Sequence, residues 1–171
     1  MPEPIQEKIM CSLHAAEGLY HRLVLLVGET GSGKTAVLRE VADELGAPVI
    51  NVNLELSARL LEMTAKQRVL RLSGLLGQIV ETGHPAVVLD NLEILFDTNL
   101  GQDPLRLLQG ISRNQCVIAS WNGSARSGKL TYAEPGHQEY RHYDLLEILM
   151  VGMDGTATVD TGNETREAGT A

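Results

Sequence analysis

The stretch between residues 28 and 35 constrains this chain more than any other. It reads GETGSGKT and follows directly on the apolar run of residues 23–27. Its glycines permit backbone conformations that a Cβ would forbid, so successive N–H groups can turn inward around an anion. Lys34 can then reach phosphate oxygens, and the Thr35 hydroxyl can reach Mg²⁺. The pattern predicts a phosphate-binding P-loop between a strand and a helix, with nucleotide contacts from Gly28, Glu29, Thr30, Gly31, Ser32, Gly33, Lys34 and Thr35.

A second apolar run carries the other half of the predicted site. Residues 86–89 are apolar and are followed by Asp90, as in a buried parallel strand with an acid at its carboxyl end. A carboxylate beside the P-loop strand can hold Mg²⁺, usually through water, against the nucleotide phosphates. We therefore expect ATP and Mg²⁺ as cofactors, with Thr35 and Asp90 at the metal.

Helical and extended patterns alternate along most of the chain. The predicted helices cover residues 4–20, 33–45, 55–82 (with a break near Ser73 and Gly74) and 104–112, and the predicted strands cover 23–27, 47–53, 86–90 and 116–121. Further on, residues 129–132 and 140–143 suggest a hairpin, and 145–151 a last strand or short helix. The alternation predicts an α/β fold, a three-layer P-loop NTPase with a mostly parallel central sheet and no C-terminal helical lid. Residues 1–151 would form this domain, and residues 152–171 a disordered tail.

Charge and apolar patterning exclude several classes of function. The formal net charge of -8 argues against attraction of the whole protein to DNA, although a basic face over residues 59–71 leaves a local contact open. No apolar run approaches the roughly 18 residues that span a bilayer, and the first residues lack the pattern of a signal peptide. We expect a cytoplasmic protein without membrane contact. Cys11 and Cys116 lie far apart in apolar segments, which predicts buried free thiols.

The order of these motifs resembles that of the additional-strand P-loop ATPases, the AAA+ and RecA-like groups. A predicted strand lies between the P-loop and the strand that ends in Asp90, which disfavours a kinase or GTPase. In that resemblance Asn122, at the end of the strand that begins at residue 116, matches the sensor 1 residue that orients the γ-phosphate and the attacking water. An Asn-Gly turn that leaves the strand is the alternative interpretation.

The same resemblance does not determine which acid activates the attacking water. AAA+ proteins usually place a glutamate directly after the Asp90 position, where this chain has Asn91, and asparagine cannot accept a proton. Glu93 lies two residues further on. Glu55 follows the second strand, where RecA-like enzymes carry their catalytic glutamate. Both remain candidates, and we expect hydrolysis to be slow or dependent on a partner.

Six stretches of the chain resemble the BrxF family, the small P-loop ATPases of type 3 BREX bacteriophage-exclusion systems. These stretches are LYHRLVLLVGETGSGKTAVLREVA, PVINVNLELSARLLEMTAKQRVL, VVLDNLEILFD, QDPLRLLQGISRN, IASWNG and LTYAEPGHQEYRHYD. The resemblance covers about residues 5 to 150, and the fourth and sixth stretches are its most distinctive parts. It implies a subunit of an anti-phage system with a large ATPase, a methyltransferase, a helicase and a phosphatase-like protein as partners.

The leading hypothesis is an ATP-binding, Mg²⁺-dependent ATPase subunit of such a system, acting as a homo-oligomer or with larger partners. An ATP-gated binding module with negligible hydrolysis is the alternative that Asn91 supports, and a nucleotide or small-molecule kinase is less favoured. Ring-forming ATPases bring an arginine from the next subunit to the γ-phosphate. The candidates for that role are Arg113, Arg126 and Arg141.

Overall fold

The computed structural model of the chain describes residues 4–126, 129–133, 141–144 and 149–157. The helices are α1 (Ile5–Ala16), α2 (Lys34–Leu45), α3 (Val52–Leu60), α4 (Ala65–Val80) and α5 (Pro104–Ile111), with 3₁₀ turns at Glu93–Phe96 and Thr98–Leu100. The strands are β1 (Leu23–Gly28), β2 (Val49–Asn51), β3 (Ala86–Asp90), β4 (Cys116–Arg126), β5 (Lys129–Tyr132), β6 (Arg141–Asp144) and β7 (Leu149–Gly152). Five of these strands form a parallel sheet in the order β2-β3-β4-β1-β7. The predicted α/β fold with a parallel central sheet is confirmed.

The apolar run of β1 lies at the centre of two cores, one on each face of the sheet. Leu25 and Val27 pack on one face with residues of α3, α4 and α5, and Val24 and Leu26 pack on the other with residues of α1 and α2. Successive side chains of a strand point to opposite faces, so an uninterrupted apolar run suits a strand that is covered on both. This burial fixes the end of β1, from which the glycine-rich loop begins.

Local capping explains where the helices depart from the predicted bounds. The break in the predicted helix 55–82 lies at residues 61–64 rather than near Ser73, because a capping box starts α4 there. The Thr64 side chain accepts a hydrogen bond from Gln67 N, and Thr64 N donates to the Gln67 side-chain oxygen. Strand β2 ends at Asn51, two residues earlier than predicted, because the Asn51 side chain caps α3 by accepting from Leu54 N. Helix α1 ends at Ala16, not at residue 20.

The fourth strand is longer than predicted. It continues through Asn122 and Gly123 to Arg126, and its last residues pair antiparallel with β5, which pairs in turn with β6. The predicted hairpin is therefore present, and the interpretation of Asn122 and Gly123 as a turn is wrong. The antiparallel pairing places the hairpin beside the carboxyl end of the parallel sheet.

The predicted disordered tail begins too early in the chain. Gly152 belongs to β7, Met153 N donates to Val27 O at 2.8 Å, and Ala157 is buried against the core of α1 and α2. Residues 152–157 thus extend the domain, and the remainder of the predicted tail lies outside the described residues. Of the two structures predicted for residues 145–151, the strand is observed from Leu149 onward, parallel to β1.

The two cysteines are less buried than predicted. Cys11 and Cys116 are free thiols, but Cys11 is exposed and Cys116 is only partly buried, because the apolar stripe of α1 that faces the sheet excludes Cys11. In the part of the chain that the structure describes, no helix has the length and apolarity to cross a membrane.

Candidate functional site

The glycine-rich loop connects the end of β1 to the start of α2. Gly31 and Gly33 have φ angles of 81° and 95°, in the region where a Cβ is strained, and Gly33 is the N-cap of α2. Gly28 is enclosed, because a Cβ there would come within 2.6 Å of the Ser32 Oγ and 2.7 Å of the Met153 Cγ. The backbone conformation favours glycine at Gly31 and Gly33, and a Cβ at Gly28 would displace the Ser32 or Met153 side chain. The loop turns its backbone toward the N-terminus of a helix, a favourable place for an anion.

Lys34 lies inside this loop. Its side chain is buried, and its Nζ donates to Gly28 O at 2.9 Å and to Glu29 O at 2.7 Å. Burial lowers the pKa of Lys34, and the neighbouring carboxylates of Asp90, Glu93 and Glu29 oppose that shift. The ammonium group is held at the mouth of the loop, where carbonyl oxygens can be exchanged for those of a phosphate.

A direct hydrogen bond joins the two predicted halves of the site. Thr35 Oγ1 donates to Asp90 Oδ2 at 2.7 Å, and the other oxygen of Asp90 accepts from Asn91 N at 2.9 Å. Asp90 is buried at the end of β3, so its carboxylate is fixed by its strand and by these two donors. A hydroxyl beside a carboxylate is a set of hard oxygen ligands of the kind that Mg²⁺ prefers.

Glu93 is held between two asparagine amides. Asn53 Nδ2 donates to one of its carboxylate oxygens at 2.7 Å, and Asn122 Nδ2 donates to the other at 2.6 Å. Asn53 also accepts from Ile94 N at 2.8 Å through its side chain. Asn53 follows β2, Glu93 follows β3 and Asn122 lies on β4, so the carboxyl ends of three neighbouring strands meet at one carboxylate.

Together these side chains line a cleft of about 310 Å³ above the carboxyl edge of the sheet. Its lining comprises Thr30, Gly31, Gly33, Lys34, Thr35, Asp90, Asn91, Glu93 and Asn122. Gly28, Glu29 and Ser32 line a second cleft on the other side of the same loop. A larger cleft of about 490 Å³, between α4 and α5, is lined by none of these residues. The predicted P-loop, Asp90, Glu93 and Asn122 therefore converge at one place.

Glu55 is not part of this convergence. Its carboxylate accepts from Arg59 Nη1 at 2.7 Å, one helical turn further along α3, and its side chain is 44% exposed. The residue of this segment that does reach the site is Asn53, which lies at the carboxyl end of the predicted second strand but had no predicted role. A polar residue directly after a parallel strand was the available signal, because ligand contacts gather at the carboxyl ends of such strands.

Where the structure describes them, the predicted arginines and the residues of the basic face do not line the cleft. The Arg113 guanidinium lies 4.6 Å above the Tyr20 ring, in the turn that precedes β4, at the opposite edge of the sheet. The side chains of Arg126 and Arg141 lie outside the described residues. On the basic face, Arg59 is bound to Glu55 and Arg68 donates to Met63 O, whereas Lys66 and Arg71 are exposed.

Comparison with known proteins places these motifs in one family. The model of the AAA family, the ATPases associated with various cellular activities, matches residues 24–113, which is more than half of the chain. No curated protein matches the sequence. Among solved structures, PCH-2 of C. elegans matches with a TM-score of 0.41 and 16% identity over 71% of this chain and 37% of that chain. This chain thus spans little more than a third of the length of PCH-2. Because the family match includes the P-loop, Asp90 and Glu93, we conclude that the chain belongs to the AAA family of ATPases.

Proposed function

We propose that this chain binds ATP in the loop from Gly28 to Thr35, with Mg²⁺ held by Thr35 and Asp90, and hydrolyses it slowly. The observation that carries the proposal is the 2.7 Å hydrogen bond between Thr35 Oγ1 and Asp90 Oδ2. It places a hydroxyl and a carboxylate side by side next to a buried ammonium group, which is the arrangement that a nucleotide phosphate with its metal requires.

The donor set fits Mg²⁺. Thr35 would hold the ion directly, and Asp90 would hold it through water, since both offer hard oxygen atoms. When it is bound, Mg²⁺ supplies positive charge that stabilises the phosphoryl group during transfer. Lys34 contributes a second positive charge, and it gains phosphate oxygens in place of the carbonyl oxygens of Gly28 and Glu29.

Glu93 is the residue best placed to accept a proton in hydrolysis. A water oxygen would form a bond to the γ-phosphorus, the bond between that phosphorus and the bridging oxygen of ADP would break, and the water proton would pass to the Glu93 carboxylate. Asn122 lines the same cleft and donates to Glu93 at 2.6 Å, so its amide can orient both the carboxylate and the γ-phosphate.

The two amides around Glu93 favour slow turnover. Each carboxylate oxygen already accepts from an asparagine, so the attacking water has to use the remaining lone pairs or displace one amide. Movement of Asn53 or Asn122 would free an oxygen of Glu93. This geometry agrees with an ATPase whose activity rises when a partner binds.

A second candidate function is an ATP-gated binding module with negligible hydrolysis. The observation that favours it is Asn91, which stands directly after Asp90 and whose main-chain oxygen accepts from Asn53 N at 2.8 Å. A single-turnover assay with excess protein, with Mg²⁺ or EDTA and with or without DNA, separates the two functions. We expect bound ATP to be consumed in Mg²⁺ and not in EDTA. Bound ATP that persists under all conditions would favour the binding module.

We also propose that the chain completes its site with a second copy or a larger partner. In the isolated chain Thr30, Gly31, Gly33 and Thr35 are exposed to solvent, so one side of the phosphate site is open. Light-scattering mass with an ATP analogue, ADP or no nucleotide tests this, and we expect the analogue to promote association more than ADP. A monomer under all conditions with full ATP turnover would contradict it.

The biological setting that we propose is a BREX anti-phage system. The support is the resemblance of residues 102–114 and 130–144 to BrxF proteins. From that resemblance we also propose the partners named above, a cytoplasmic location, and DNA contact through those partners or through the basic face. Plaque counts on a host that carries the whole system test the proposal. Lys34→Ala is expected to abolish protection, and the control Arg39→Ala, an exposed cation of α2 outside the basic face, to preserve it. Equal protection by both variants would refute a role for ATP in defence.

A further inference from the structure

Two of the side chains in the cleft are next to buried aromatic residues. Trp121 precedes Asn122 on β4, and Phe96 closes the 3₁₀ turn that begins at Glu93. Both aromatic side chains are almost completely buried, at 1% exposure. The positions of Asn122 and Glu93 therefore depend on how these two rings pack.

The two rings meet in a cluster with the β5–β6 hairpin. The Phe96 ring is stacked on the Tyr132 ring of β5, with centroids 3.4 Å apart and planes 8° apart, and its edge contact with Trp121 is 5.1 Å between centroids. Trp121 also contacts Tyr132 and Tyr143. The chain has one Trp, one Phe and four Tyr, so this aromatic cluster (Phe96, Trp121, Tyr132 and Tyr143) takes four of its six aromatic residues. Such a concentration points to a specific packing requirement rather than to filling of the core.

Polar contacts fix the hairpin against the cluster. Trp121 Nε1 donates to Thr131 O at 3.0 Å, and the Tyr143 hydroxyl donates to Asp103 Oδ1 at 3.0 Å. Asp103 also caps α5 by accepting from Leu105 N. At Gly123, directly after Asn122, an added Cβ would lie 1.8 Å from Thr131 O. The strand can therefore approach β5 this closely beside Asn122 only with glycine at that position.

We propose that the β5–β6 hairpin positions Glu93 and Asn122 for ATP hydrolysis, and that Tyr132 is the positioning residue through which it does so. The inference rests on the proposed function, since it assigns the hairpin a role at the same site. Stacking of Tyr132 on Phe96 holds the 3₁₀ turn that carries Glu93, and contact of both rings with Trp121 holds the strand that carries Asn122. A partner that shifts the hairpin would shift both site residues together.

Steady-state kinetics test this role. Tyr132→Leu removes the ring, Tyr132→Phe keeps it, and Tyr20→Leu removes an exposed ring at the opposite edge of the sheet. We expect Tyr132→Leu to lower kcat about tenfold, because small displacements of catalytic groups are costly, while KM and affinity for a non-hydrolysable ATP analogue stay within about twofold. Tyr132→Phe and Tyr20→Leu should keep kcat within about twofold of the unmodified chain.

Two kinetic outcomes would overturn the proposal. One is a kcat for Tyr132→Leu that equals that of Tyr132→Phe. The other is a parallel fall of kcat and of nucleotide affinity in Tyr132→Leu, because that is the mark of a general structural role.

The single tryptophan gives a second test that needs no substitution. We expect the ATP analogue with Mg²⁺ to change Trp121 emission and ADP to change it much less, because ADP lacks the γ-phosphate that Glu93 and Asn122 would face. Unchanged emission, with analogue binding shown by calorimetry, would overturn the positioning role and leave ATP binding intact. Absence of binding in the calorimeter would instead overturn the proposed function, and this inference with it.

Discussion

The segments that follow β2 and β3 place different residues in the cleft, although each segment begins at the end of a parallel strand and carries an acid a few residues later. After β2 the chain enters α3, and Asn53 faces Glu93 while Glu55 binds Arg59 on the exposed side. After β3 the chain enters a 3₁₀ turn, and Glu93 itself faces the P-loop. Sequence distance from the strand is nearly the same in the two segments. The local backbone conformation decides which acid reaches the site.

The physical cause lies in the first residues after each strand. In α3, residues two positions apart are rotated by about 200° around the helix axis. A helix that directs Asn53 inward therefore directs Glu55 outward. After β3, Asn91 adopts a φ of 55°, and the chain turns so that Glu93 lies over the sheet. Asparagine tolerates this left-handed conformation better than most residues. Asn91 thus replaces the acid expected there and supplies the turn that brings Glu93 into place.

The largest expected effect comes from removing the negative charge of each of the two acids in turn. Glu93→Gln is expected to lower kcat by about 10²–10³-fold, because it removes the proposed proton acceptor while keeping the shape of the side chain. Glu55→Gln should change kcat less than about twofold, since it removes only a surface ion pair. Steady-state turnover of the two variants is the measurement. Equal losses, or a greater loss for Glu55→Gln, would reverse the assignment.

A smaller effect is expected at the end of β3. Asp90→Asn should weaken nucleotide affinity about tenfold in Mg²⁺, because it removes a charge from the proposed metal site, and should change affinity little in EDTA. Calorimetric titration under both conditions is the measurement, with the exposed Asp43→Asn of α2 as control. Equal losses in Mg²⁺ and EDTA would remove Asp90 from the metal site.

The smallest expected effect concerns the turn at Asn91. Asn91→Ala should lower the free energy of unfolding by about 1 kcal/mol, because alanine is strained at positive φ, whereas Asn91→Gly should stay within about 0.5 kcal/mol of the unmodified chain. The main-chain hydrogen bonds of Asn91 survive in both variants. Urea unfolding compares the two directly. Equal stability of the Ala and Gly variants would show that the backbone conformation does not matter.

Much of the fold, and the part of the candidate site formed by the P-loop and Asp90, follow from local sequence patterns. The P-loop, the strand that ends in Asp90 and the helix capped by Asp103 were predictable, because a glycine pattern, an apolar run and an Asp-Pro start each determine local structure within a few residues. Their convergence follows from the topology of parallel sheets. These local patterns and the sheet topology are sufficient to account for the hydrogen bond between Thr35 and Asp90.

The rest depends on packing between distant segments. The choice between Glu93 and Glu55 depends on helix phase, and the role of Asn53 depends on a contact across 40 residues of sequence. The continuation of β4 past Asn122 depends on pairing with β5, which Gly123 permits by having no Cβ. Ala157 is buried only because β7 returns to pair with β1, so composition alone placed the end of the domain too early.

Titration of ATP into the chain and its Lys34→Ala variant tests the central claim most directly. In the proposed function Lys34 binds the phosphates rather than supporting the core, and its burial is unfavourable for the charged ammonium group. We therefore predict that Lys34→Ala weakens Mg²⁺-ATP binding by at least about 100-fold, as expected for loss of a charged hydrogen-bond donor, while the melting temperature stays within about 4 °C. The exposed control Lys66→Ala should change neither quantity. Unchanged ATP affinity in Lys34→Ala would contradict the assignment of the loop as the nucleotide site.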